Sequence, residues 1–134
     1  MSTIAMINSH SHSTAGLNVE LLAEAIDAAS ACATICTACA DACLAEESVA
    51  ELRDCIRTDL DCADVCAATA SVLSRRTGTI SDTVKELLTA CRAACATCAD
   101  DCEDHADMHA HCAICAEACR RCEKACAELL SAIG

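Results

Sequence analysis

Cysteine returns at intervals of four, three and four residues along CATICTACADAC, residues 32–43, and again along residues 91–102. That spacing brings a side chain back to one face of an α-helix at every turn. The rest of the chain permits long helices: its 134 residues include no proline, three glycines and abundant alanine. Phe, Tyr and Trp are absent as well. A core of Ala and Cys is built from small side chains, so it either packs very closely or encloses something else. The expectation is an all-α protein in which thiols stand where a bundle normally carries leucine.

The length suits one domain. Residues 1–17 contain Ser and His without periodicity and read as a mobile tail ahead of a domain over 18–134. Asn18 is placed to cap a first helix reaching about Ala45. Ser48 and Glu51 read as a capping box for a second helix, which closes with Arg75 and Arg76 in its last turn and Gly78 beyond. Thr79 and Asp82 resemble a box for a third helix to about His105, and Asp107 reads as the cap of a fourth running nearly to Gly134. Four helices of roughly 25 residues, each about 37 Å long, with short connections give an up-down-up-down four-helix bundle with a cysteine-lined core.

Each helix carries the stripe. The first has Cys32, Cys36, Cys39 and Cys43; the second has Cys55, Cys62 and Cys66, with Asp59 in the position that completes the pattern. The third has Cys91, Cys95, Cys98 and Cys102, and the fourth Cys112, Cys115, Cys119, Cys122 and Cys126. All 16 cysteines are accounted for, and the one exception in the seam is a carboxylate. Continued one way, the seams reach Leu22, Ala25, Ala29, Ala70, Leu73, Val84, Leu88, Leu129 and Ile133, which gather at one end as an aliphatic plug. The opposite end gathers Cys43, Cys55, Asp59, His105, Met108, His111 and Cys112 among many acidic residues. His109 reads as facing outward, and His10 and His12 as solvated.

Several readings of the thiols compete. Reduced Cys packs as a small hydrophobe, but Ala, Val or Leu would do so without the risk of oxidation. A disulfide ladder between facing helices is geometrically open, though it needs an oxidising compartment. Zinc wants closed sets of four ligands, and iron–sulfur clusters usually use C-x-x-C runs in loops; evenly spaced rows divide poorly into such sets. Cu(I) is soft, takes thiolate and thioether ligands and accepts low coordination numbers, and it is the preferred reading. A thiol redox enzyme is disfavoured because Cys36/Cys39, Cys95/Cys98, Cys112/Cys115 and Cys119/Cys122 lie mid-helix, whereas low-pKa redox cysteines prefer helix N-termini. No Ser/His/Asp arrangement or phosphate-binding glycine loop is visible, so no enzymatic role is expected. The N-terminus shows no basic leader segment and no apolar run of membrane-spanning length, which points to a cytoplasmic protein with reduced thiols. A net charge of −12 argues against nucleic acid and anionic membrane as partners.

C-x-x-x-C-x-x-C-x-x-x-C stripes on a four-helix bundle with a His/Met rim resemble the bacterial copper storage proteins (the Csp family), in their cytosolic branch. The resemblance covers nearly the whole chain from about residue 18. It implies a homotetramer whose protomers each store multiple Cu(I) ions, and a His-bearing end serving as the entrance. His105 and His111 match that end, with Met108 beside them and Asp59 lining it. Apart from the resemblance, the acidic rim suits docking of a copper chaperone or a small-molecule Cu(I) donor as partner. Asp59 is expected to accept a proton as copper displaces one from a thiol or imidazole.

Overall fold

Side-chain caps set the starts of two of the long helices. In the computed structural model, which describes residues 2–12, 14, 16–75 and 80–133, Asn18 is extended (φ −65°, ψ 122°) and its side chain accepts from Leu21 N at 3.1 Å. This opens the helix Val19–Leu44 as expected. Ser81 caps Asp82–Glu103 in the same way through Val84 N. The expected cap Thr79 lies outside the described residues, as do Arg76 and Gly78. Ser48 makes no capping bond; the chain runs through a 3₁₀ turn, Val49–Leu52, before the helix Arg53–Leu73. Asp107 does not cap the last helix either. That helix is Ala110–Ile133, and the His109 carbonyl accepts from Cys112 N and Ala113 N at its start.

The described residues hold five α-helices: α1 (Ser2–Ser9), α2 (Val19–Leu44), α3 (Arg53–Leu73), α4 (Asp82–Glu103) and α5 (Ala110–Ile133). The helix α1 corrects the reading of residues 1–17 as an aperiodic tail. It is held on α2 by burial of Ile7 and by Thr3 Oγ1, which donates to Asp27 Oδ1 at 2.6 Å. Eight residues carry too few turns for a pattern to stand out, so α1 owes its place to packing rather than to propensity. By length and hydropathy alone α2 is apolar enough to cross a membrane, contrary to expectation, but Leu22, Cys32, Cys36 and Cys43 on it face the protein core.

Among the long helices, α2 packs on α3 and α5, and α4 packs on α3 and α5. Sulfur contacts define the register. Cys55–Cys102, Cys62–Cys95 and Cys66–Cys91 rise on α3 as they fall on α4, so that pair is antiparallel. Contacts from Cys32 to Cys119 and from Cys43 to His111 give the same sense for α2 and α5. The diagonal pairs have no Cα atoms within 8 Å of each other among the described residues. Their sulfurs nevertheless meet across the axis, Cys36–Cys98 at 4.0 Å and Cys66–Cys122 at 3.9 Å.

The aliphatic end forms as read from the seams. Leu22, Ala25, Ala29, Leu73, Leu88 and Leu129 are buried, with Ala70, Val84 and Ile133 packed against them. Surface braces hold α5 in place: Arg121 donates to Glu24 of α2 at 2.8 and 2.9 Å, and Arg120 to Asp100 and Glu103 of α4. Such exposed pairs each contribute little, and the plug carries more. Leu129→Ala is therefore expected to cost about 2–5 kcal/mol. Urea unfolding followed by circular dichroism measures it, and a loss below about 1 kcal/mol would show that stability resides in the sulfur layer.

Candidate metal centre

Every cysteine is a free thiol and every one is buried. Neighbouring sulfurs stand 3.5 to 4.0 Å apart, beyond the roughly 2.05 Å of a disulfide bond. One helical turn supplies Cys32–Cys36 at 3.6 Å and Cys62–Cys66 at 3.7 Å. Neighbouring helices add Cys32–Cys62, Cys36–Cys119 and Cys66–Cys95 at 3.6 to 3.8 Å. The small alanines between the thiols let the helices come this close, so the stripes merge into one continuous sulfur layer.

Within that layer, ligand atoms fall into sets of four lying within 4.8 Å of one another. They include Cys32/Cys66/Cys95/Cys122, Cys32/Cys36/Cys62/Cys119, Cys36/Cys98/Cys115/Cys119, Cys39/Asp59/Cys102/Cys115 and Cys39/Cys43/His111/Cys112. Soft cations are the chemical match for such sulfur-rich sets. Burial pushes the Cys43 thiol up and, helped by the nearby Cys39 sulfur, pushes Cys112 up to about 11. Both thiols therefore hold their protons at neutral pH until a cation displaces them.

Asp59 sits inside the layer with no exposed surface. Its Oδ1 accepts from Cys98 at 3.0 Å, Cys115 at 3.2 Å and Cys102 at 3.4 Å, while Oδ2 has no hydrogen-bond partner among the described residues. Burial, then the Cys98 hydrogen bond and the field of nearby sulfurs, pushes this carboxyl up to about 12. This corrects the expected role as a ready proton acceptor. In the metal-free protein Asp59 is already a neutral acid at neutral pH, because a low-dielectric thiol layer disfavours its charged form.

The histidine end is more selective than its sequence suggests. His111 Nδ1 lies 3.5 Å from Cys39, 3.6 Å from Cys112 and 3.8 Å from Cys43, so this ring joins the sulfurs directly. His105 is half-buried in the α4–α5 connection, and Met108 is 70% exposed there. His109 does not face outward: its side chain is 11% exposed and its ring stacks on His111 at 5.2 Å. Residues 104–108, between α4 and α5, form turns that bring the ring inward. The sequence does not single out Glu46. It faces both rings, with Oε2 3.2 Å from His109 Nδ1 and Oε1 3.6 Å from His111 Nε2. No sequence pattern pairs it with them, because it lies in a turn about sixty residues away.

A helical protein whose core is a contiguous layer of free thiols, interrupted by one carboxyl and ending in a histidine, belongs to the class of buried polythiol metal-ligating proteins. The copper storage protein (Csp) family profile matches residues 18–131, and the chain belongs to that family. Its fold is shared with Ccsp, the copper storage protein of Streptomyces lividans, in a structure loaded with 10 copper equivalents. The TM-score is 0.95 at 51% identity, covering 97% of this chain and 98% of that one. A second structure, a cytosolic copper storage protein from Streptomyces lividans with five coppers, matches at 57% identity and a TM-score of 0.84. It covers 86% of this chain and 96% of that one. A search of the curated proteins gives no match.

Proposed function

We propose that this chain stores and buffers Cu(I) in the cytosol, taking the ions as cargo into an up-down-up-down four-helix bundle whose core is the sulfur layer. The observation that carries the reading is the overlap of the four-ligand sets: every thiol is buried, free and touching or near others, as a store needs and an isolated structural site does not. The ligands are the 16 cysteines, Asp59 and His111, with His105 and Met108 on the approach from the α4–α5 connection. Family membership supports assembly as a homotetramer and a role without catalysis. Acidic residues around the histidine end suit a cationic donor such as a copper chaperone.

In this reading each captured ion exchanges one proton for one metal charge at a thiol, so the filled core carries no large net charge. Because the empty thiols are buried and pack as small apolar groups, the bundle folds before loading. Proton competition sets the pH dependence. Apparent affinity strengthens as pH rises, up to the region of about 11 for Cys112.

The test is an anaerobic titration of reduced protein with Cu(I) against a competing chelator, following near-ultraviolet thiolate absorption. The absence of Tyr and Trp leaves that window clear. Capacity of about one Cu(I) per cysteine, about one proton released per thiol engaged, and full helicity before metal are expected. Saturation at a few ions, or a preference for Zn(II), would overturn the storage reading.

A further inference from the structure

We infer that Glu46 and His109 form a clamp that positions His111 as a metal-capturing ligand, holding its proton on Nε2 so that Nδ1 offers a lone pair to an arriving ion. The inference rests on the Cu(I) storage reading and assigns to two residues outside the sulfur layer a part in loading it. Three sulfurs surround Nδ1 of His111, and among the described residues the only carboxylate paired with its ring faces Nε2. Nε2 is buried with no partner inside hydrogen-bond distance among the described residues, and Glu46 Oε1 stands just outside it at 3.6 Å. A neutral imidazole carries one proton, and a carboxylate can only accept. The arrangement therefore favours Nε2–H toward Glu46 and a free Nδ1 toward Cys39, Cys43 and Cys112. A histidine ligand whose other nitrogen donates to a carboxylate is fixed in ring orientation and made more basic.

The clamp has a backbone anchor and a side support. Glu46 N donates to the Cys43 carbonyl at 3.2 Å, and Glu46 O accepts from Val49 N at 3.2 Å, so the carboxylate is tied to the turn that carries one of the sulfurs. His109 fills the other side. Its ring lies nearly parallel to that of His111, at 22°, and its Nδ1 faces the second oxygen of the same carboxylate at 3.2 Å. One carboxylate thus spans two stacked rings, of which one reaches the thiols.

Two measurements on Glu46→Ala test this, with Glu47→Ala as a control for charge alone, since Glu47 is an exposed neighbour. First, long-range ¹H–¹⁵N correlation of the metal-free protein reads the tautomer directly. Wild type and Glu47→Ala are expected to show His111 protonated on Nε2, and Glu46→Ala a mixture of tautomers. An unchanged tautomer in Glu46→Ala overturns the clamp whatever copper does. Second, stopped-flow Cu(I) uptake is expected to slow about tenfold in its first phase in Glu46→Ala, with final capacity unchanged and Glu47→Ala near wild type. Glu46→Gln keeps one accepting oxygen and should recover part of the rate. Equal slowing in both alanine variants, or none in either, overturns the role in capture. A wild type that takes up few ions would instead overturn the storage reading and leave the tautomer result standing.

Discussion

Asp59→Asn is expected to raise the stability of the metal-free protein at neutral pH by about 3–4 kcal/mol and to flatten its pH dependence. In the fold this carboxyl keeps its proton up to about 12, whereas in the unfolded chain it releases the proton above about 3.9. Between those values the folded state binds one more proton than the unfolded state, so stability falls as pH rises, by up to about 1.4 kcal/mol per unit. From about pH 4 to pH 7 the loss amounts to about 4 kcal/mol. Below the lower value both states are protonated and the penalty vanishes. Asparagine keeps the oxygen that accepts from Cys98, Cys102 and Cys115 but has nothing to ionise. Urea unfolding of reduced wild type and variant across about pH 5 to pH 8 measures the difference in slope. Parallel slopes would mean that Asp59 is ionised inside the fold.

Loading should change stability even more. One ion held at a free concentration a hundredfold above its Kd adds about 2.7 kcal/mol to folding. Four such ions would add about 11 kcal/mol, which is comparable to the whole stability of an ordinary domain. Thiols in the unfolded chain also bind Cu(I), and this reduces the gain. Even so, loaded protein is expected to remain helical at urea concentrations that fully unfold the metal-free form. Coincident unfolding curves would place the copper outside the sulfur layer.

Much of this was legible in the sequence because helical periodicity is a strong local signal. The four-three-four cysteine spacing located α2 and α4, and it singled out Asp59 by the gap it fills. The plug followed from the same seams, and Leu22, Leu88 and Leu129 are buried where those seams end. What escaped lies where periodicity has no purchase. The helix α1 is too short to announce itself and depends on Ile7 and on the Thr3–Asp27 bond. The clamp joins a turn after α2 to the connection before α5, a contact no spacing encodes. The protonation of Asp59 is hidden from the sequence for a different reason. Its seam position was visible, but the depth of burial and the three thiols donating to it are properties of the folded core.

The overlap of the ligand sets has a further consequence for how such a store is emptied. Cys32 is common to the first two sets, Cys36 and Cys119 to the second and third, Cys115 to the third and fourth, and Cys39 to the fourth and fifth. Under the storage reading an ion need never be released to water in order to travel; it trades one sulfur for the next along these shared vertices. Under the storage reading the passage is blind, since aliphatic side chains close the far end. Ions in a blind passage with a single mouth leave in the reverse of the order in which they settled. The core then works as a last-in, first-out stack, with its most recent copper always nearest to His111.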